Sequence, residues 1–209
     1  LLNSEDPNSD KAQEYLNECE RINIKITPPD ISLSKGKYAI TGQNKISTGL
    51  SAIKGIGDKA IENILSLQPF SSIEDFFVRI NNRVVNKRVV EALAMSGAFD
   101  KMNRTRRDIY ENHTAYKTKI LDIIKKKNSL ENFKLPEYHE EWSRKDLLLN
   151  EKNVLGRTIS GSLHEVFDGF FSRTANITPL RKVKTLSKDT KVRIEVIINS
   201  LIKEFKIKH

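Results

Sequence analysis

Residues Leu50–Ile64 read LSAIKGIGDKAIENI. Leu50 and Ile53 stand three apart and mark the end of a first short helix, while Ala60, Ile61 and Ile64 carry a second helical pattern. Between them, Gly55-Ile56-Gly57 puts two glycines around one apolar residue, which lets the backbone turn tightly and approach a neighbour closely. The second helix begins just past Gly57, so its free N–H groups and positive dipole end are expected to face outward. An anion is stabilised at such an end. Lys54 and Lys59 flank the turn with positive charge.

This spacing is that of a helix-hairpin-helix, a module that holds the DNA backbone without reading bases. The plainer reading is that Gly55 and Gly57 only end one helix and start another. The apolar positions on both sides, Ala60 and Ile64 among them, favour the hairpin. A second helical pair follows. Ser72 precedes an acid three residues on, Asp75, which is a helix-start signature, and Ile73, Phe76, Phe77 and Ile80 give an apolar face. Asn86 is placed to cap the next helix, with Val89, Val90 and Leu93 inward and Gly97 as its stop. The joining loop and the helix it enters carry Arg79, Arg83, Lys87 and Arg88. A tandem pair would set two phosphate grips on one face. The candidate DNA-binding residues are therefore Lys54, Gly55, Ile56, Gly57, Lys59, Arg83, Lys87 and Arg88.

Composition agrees. The chain has 209 residues, enough for a real core in one large or two small domains, and a formal net charge of +9. A basic chain suits an acidic partner, of which nucleic acid is the commonest and an anionic membrane surface the competitor. No apolar run is long enough to span a bilayer, and no signal or lipidation motif stands out, so the expectation is a cytoplasmic protein without a membrane. The single cysteine, Cys19, excludes an internal disulfide framework and a cysteine-rich zinc site. His113, His139, His164 and His209 are scattered without ligand spacing. Asp6, Asn8 and Asp10 mimic the start of a calcium loop, but Lys11 and Asn17 stand where Gly and Glu are needed.

Elsewhere, Lys11–Ile22 reads as an amphipathic helix with Tyr15, Leu16, Cys19 and Ile22 inward. Tyr38–Ile40 and Lys45–Ser47, around Gly42, read as a small β-hairpin. Lys101–Arg107 adds positive charge, and Thr105 with Asp108 starts a long helix toward Lys127. Asn128–His139 reads as a linker. Trp142 reads as a core anchor. Ser143 and Asp146 open a helix that Gly156 stops. Lys191–Lys203 alternates with period two, as a strand does.

Taken in order, YLNECERI (Tyr15–Ile22), PPDI (Pro28–Ile31), GLSAIKGIG (Gly49–Gly57), Asn86-Lys87-Arg88 with Glu91-Ala92-Leu93, SGAFD (Ser96–Asp100), Glu141-Trp142-Ser143, Glu151-Lys152, Leu155-Gly156 and Ser160-Gly161 resemble the C-terminal part of bacterial replicative DNA polymerase III alpha subunits. The resemblance covers nearly the whole chain. It implies a mainly α fold. Residues 1–49 would end a fingers-like region and 50–102 form a tandem helix-hairpin-helix. Residues 103–173 would be a helical connector and 174–209 the start of an OB-like domain, an incomplete barrel. It implies a sequence-independent grip on duplex primer-template, with contacts to the remaining polymerase domains and a sliding clamp. The clamp peptide is degenerate: Asn128–Phe133 reads NSLENF, with no Gln and no Leu-Phe pair. Ser162-Leu163 replaces the family's usual His-Pro after Gly161. The family's catalytic carboxylates, which hold Mg for nucleotidyl transfer, match nothing here, so no cofactor and no catalytic residue are expected in this chain. Two origins fit, a piece of a larger polymerase or one product of a divided gene. The alternatives are a module that recruits other replisome subunits and a helix-hairpin-helix DNA glycosylase, for which Asp100 is the nearest downstream acid.

Overall fold

Apolar spacing and side-chain caps place six α-helices among the described residues of the computed structural model, which are 1–126, 133–136, 140–163, 165, 166 and 191. They are α1 (Asp10–Arg21), α2 (Asp58–Leu67), α3 (Ile73–Arg79), α4 (Lys87–Met95), α5 (Arg106–Lys125) and α6 (Arg144–Leu155). Three short strands, β1 (Lys25–Thr27), β2 (Ala39–Gly42) and β3 (Lys45–Ser47), complete a mainly α fold. The chain divides into two compact units, Leu1–Ser162 and Leu163–His209. Only Leu163, Glu165, Val166 and Lys191 of the second are described. The OB-type strand expected from Lys191 onward, and most of the linker expected over Asn128–His139, lie outside the described residues.

Five of the six helices close their first turn with their own side chain. Ser9, Ser72, Asn86, Thr105 and Ser143 accept the N–H of Ala12, Asp75, Val89, Asp108 and Asp146 respectively. α4 ends as its glycine requires. Gly97 lies at φ +81, its N–H donates to Ala94 O and the Ala98 N–H to Leu93 O, the paired bonds of a Schellman stop.

The helices bury one continuous core around Phe76, which is fully enclosed. Its ring meets Phe70, Phe77 and Phe99 edge-on, with centroids 5.2, 5.4 and 5.0 Å apart. Aromatic rings prefer this geometry, because a positive ring edge meets a negative face. Phe76 and Phe77 are thus core residues and not platforms for bases.

Two local expectations differ from the structure. Ile22 is 49% exposed, and Ala12 takes the inward place beside Leu16. The helix ends at Arg21, so Ile22 no longer shares its face. Trp142 is only half-buried and packs edge-on against Tyr110, with centroids 5.3 Å apart. The expected β-hairpin is present, β2 running antiparallel to β3 with Ile40 opposite Ile46. A further strand, β1, which no pattern in the sequence marks, pairs in parallel with β3 and puts Ile26 beside Ile46, giving the order β1-β3-β2.

Candidate nucleic-acid interface

The first hairpin is shorter than its sequence suggests. Its leading element is a single 3-10 turn, Leu50–Ala52. Leu50 and Ile53 are both buried, so the two apolar positions anchor the turn in the core rather than marking a full helix. Gly55 follows at φ +89, a backbone conformation that side chains strain, and Ile56 packs half-buried on the core. Gly57 takes the N-cap position of α2 with no side chain to offer. No acceptor among the described residues meets the N–H of Gly55, Gly57, Asp58 or Lys59. A Cβ placed on Gly55 or Gly57 would find nothing within 4 Å. α2 is therefore the one described α-helix whose first turn is left open, with bare backbone facing space. Lys54 and Lys59 are exposed beside it, and neither side chain has an ion pair or hydrogen bond among the described residues. Asp58 stands in the same turn. Its charge favours the helix dipole and disfavours an anion, so the lysines must outweigh it.

The second hairpin joins α3 to α4 through Ile80–Asn86. Its start is fastened to α2, since the Asn81 N–H donates to Asn63 Oδ1 at 2.9 Å. Arg83, Lys87 and Arg88 are exposed. Lys87 Nζ lies 3.6 Å from Glu91, while Arg83 and Arg88 have no side-chain partner among the described residues. Arg79 is differently placed. It donates to the carbonyls of Pro69 (2.9 Å) and Leu67, pairs with Asp75 at 2.9 Å and lies over the Phe70 ring at 5.1 Å. Its charge serves the loop before α3.

Much of the charge expected of Lys101–Arg107 is also paired within the fold. Arg104 bonds the carbonyls of Leu135 (2.9 Å) and Pro136 and pairs with buried Asp108 at 3.2 Å. Lys101 pairs with Asp30 at 2.8 Å. The Arg106 side chain is 4% exposed and grips Asp100 through two bonds of 2.8 and 2.7 Å. Burial works against that charge, but the bonds and charge of Asp100, with Glu151 and Glu141 nearby, hold its pKa above the ordinary arginine value. Asp100, the acid that the glycosylase alternative would need, is thus committed to an ion pair. Glu141 completes the helix start by accepting the N–H groups of Arg106 (2.7 Å) and Arg107 (3.0 Å). Glu141 stands in the Glu141-Trp142-Ser143 motif, but its role is invisible in the sequence because its partners are distant in the chain.

A family model described as "Helix-hairpin-helix motif" matches residues 23–109. Among curated proteins, DNA polymerase III subunit alpha of Aquifex aeolicus is 31% identical over 205 residues, covering 96% of this chain and 16% of the relative. That of Saccharopolyspora erythraea is 31% identical over 77% of this chain and 15% of the relative, and that of Campylobacter jejuni 29% identical over 99% and 18%. The chain is homologous to a segment of DNA polymerase III subunit alpha. It spans less than a fifth of the length of these alpha subunits. Both hairpin turns of the alpha-subunit segment, Gly55–Gly57 and Ile80–Asn86, fall within the matched motif. No helix among the described residues is long and apolar enough to cross a membrane.

Proposed function

We propose that this segment is the duplex-holding part of a replicative polymerase of the DNA polymerase III alpha type. It grips the primer-template backbone while other parts of the polymerase do the chemistry. The observation that carries this reading is the open first turn of α2, the only described α-helix without a side-chain cap, flanked by Lys54 and Lys59, which are exposed and unpaired among the described residues. A backbone phosphate there would accept the N–H groups of Gly57, Asp58 and Lys59 and meet the positive end of the helix. Arg83, Lys87 and Arg88 would hold a further phosphate. Such contacts read no bases, so binding would be sequence-independent and strongly salt-dependent.

Among the described residues no group of three or more His, Cys, Asp or Glu side chains is arranged to hold a metal ion. Work in the cytoplasm and contacts with the remaining polymerase domains and a sliding clamp belong to the same reading. A pull-down with an upstream polymerase segment or a clamp tests those contacts.

The deciding experiment is the binding of a fluorescent primer-template across a salt series, with the Gly55→Ala/Gly57→Ala pair as the comparison. Affinity is expected to fall linearly in log-log form, by about 0.9 per phosphate held, and the pair to bind at least about tenfold more weakly. If the pair matches the parent chain at every salt concentration, the glycines only reverse the chain and the reading fails.

A further inference from the structure

Helix α6 bonds the first hairpin directly and reaches the second through Arg106. Near its end, the carbonyl of Val154 accepts the N–H of Lys54, the residue that enters the first turn, at 2.8 Å. Three residues earlier stands Glu151, fully buried. One of its carboxylate oxygens accepts the N–H groups of Ile159 and Ser160, both at 3.1 Å, and the other accepts the Ser160 hydroxyl at 2.7 Å. Arg106 lies 3.7 Å from that carboxylate and donates to Ser160 Oγ at 2.9 Å. The same guanidinium holds Asp100 and reaches the carbonyl of Met95, the last residue of α4, at 3.4 Å. A continuous path therefore runs from Lys54 through α6 and Arg106 to the end of the second hairpin.

We infer that α6 is a brace that sets the spacing of the two hairpin turns, with Glu151 as its positioning residue. The apolar core between the hairpins is non-directional, and the one bond that joins them directly, from the Asn81 N–H to Asn63 Oδ1, is exposed to water. The buried bonds are directional, and a partly satisfied buried network costs more than it gives, so this one holds a single register. Two phosphate grips act together on one duplex only when their separation matches the backbone they meet. This functional consequence rests on the proposed DNA-holding reading, whereas the brace itself does not.

Spin labels at Glu62→Cys on α2 and Lys87→Cys on α4, in a Cys19→Ser chain, report the spacing directly by electron–electron resonance. The parent chain should give one narrow distance. Glu151→Gln, and the milder Ser160→Ala, should broaden or shift it while the helical circular dichroism is retained. In unlabelled protein, Arg83→Ala/Arg88→Ala should weaken duplex binding at least about tenfold in the parent chain and less than about twofold beside Glu151→Gln, because unfixed grips no longer act together. Lost stability alone would shrink the folded fraction equally in both comparisons and leave the ratio unchanged. An unchanged distance distribution in both Glu151→Gln and Ser160→Ala overturns the brace. A broadened distribution with an unchanged cost of the arginine pair overturns the coupling of the grips. A broadened distribution in a chain that binds no duplex upholds the brace and overturns the DNA-holding reading.

Discussion

Gly57 and Asn86 occupy the same position in two successive hairpins and fill it in opposite ways. Asn86 closes α4 by accepting the Val89 N–H at 3.2 Å, whereas Gly57 leaves α2 without a cap. Gly57 lies at φ −86, which any residue adopts, so glycine is not required there by the backbone. Gly57→Asn should therefore fold normally and gain a few tenths of a kcal/mol from the new cap. The added side chain would compete for the N–H groups offered to phosphate and stand where the DNA backbone approaches. Duplex affinity should fall about tenfold or more while the melting temperature holds or rises. Unchanged affinity would remove the phosphate from this turn.

Arg88 and Arg79, close in sequence, should respond differently to loss of charge. Arg88 is exposed and free of side-chain partners among the described residues, so Arg88→Ala should reduce the salt slope of duplex binding by about 0.9 at constant melting temperature. Arg79 holds two backbone carbonyls, so Arg79→Ala should leave the slope unchanged and cost about 1–2 kcal/mol of stability. Salt titrations paired with thermal melts separate the two effects.

Gly97→Ala should be among the most damaging single-methyl changes in the chain. The residue lies at φ +81, and a Cβ there would come within 2.3 Å of Arg106 Nη2 and 2.9 Å of Asp100 Oδ2. Strain at that backbone angle and displacement of the Arg106 guanidinium from Asp100 together should cost about 3 kcal/mol. Urea denaturation provides the measurement, and a loss under about 1 kcal/mol would show that Arg106 moves aside freely.

Alkaline pH should weaken the fold through Tyr116. Burial, then the hydrogen bond and charge of Asp108, push its phenol above the ordinary value. The folded chain thus prefers the neutral phenol. Its contribution is fully present below about pH 10 and is lost as pH rises through the raised folded value, because the unfolded chain gives up the proton first. Tyr116→Phe should remove that part of the alkaline loss, although the chain is less stable at neutral pH without the bond to Asp108. Urea melts between roughly pH 8 and 11 compare the two.

Local chemistry was legible in the sequence. The caps Ser72, Asn86, Thr105 and Ser143 and the stops Gly97 and Gly156 all act within a turn of their own position, and all stand where the pattern placed them. What was missed acts across the chain. β1 has only three residues and exists because β3 pairs with it. Arg79, Arg104 and Arg106 count as positive charge in a sequence and as internal donors in the fold. At the candidate interface the sequence located the turn and its lysines. It did not show that α2 is the one described α-helix without a side-chain cap, since that is known only once the other described α-helices have been seen to have one.

The bonds made by α6 separate two kinds of boundary. The recognisable motif closes at residue 109, while the partners that complete it lie at Glu141, Glu151, Val154 and Ser160. A polypeptide trimmed to the motif would keep every residue proposed to touch DNA. It would nevertheless strand Arg106 without Glu151, open the first turn of α5 and release Lys54 from its anchor. The unit recognisable as a motif is thus smaller than the unit able to hold its own shape, and excision at the motif's edge would yield the contacts without the frame that aligns them.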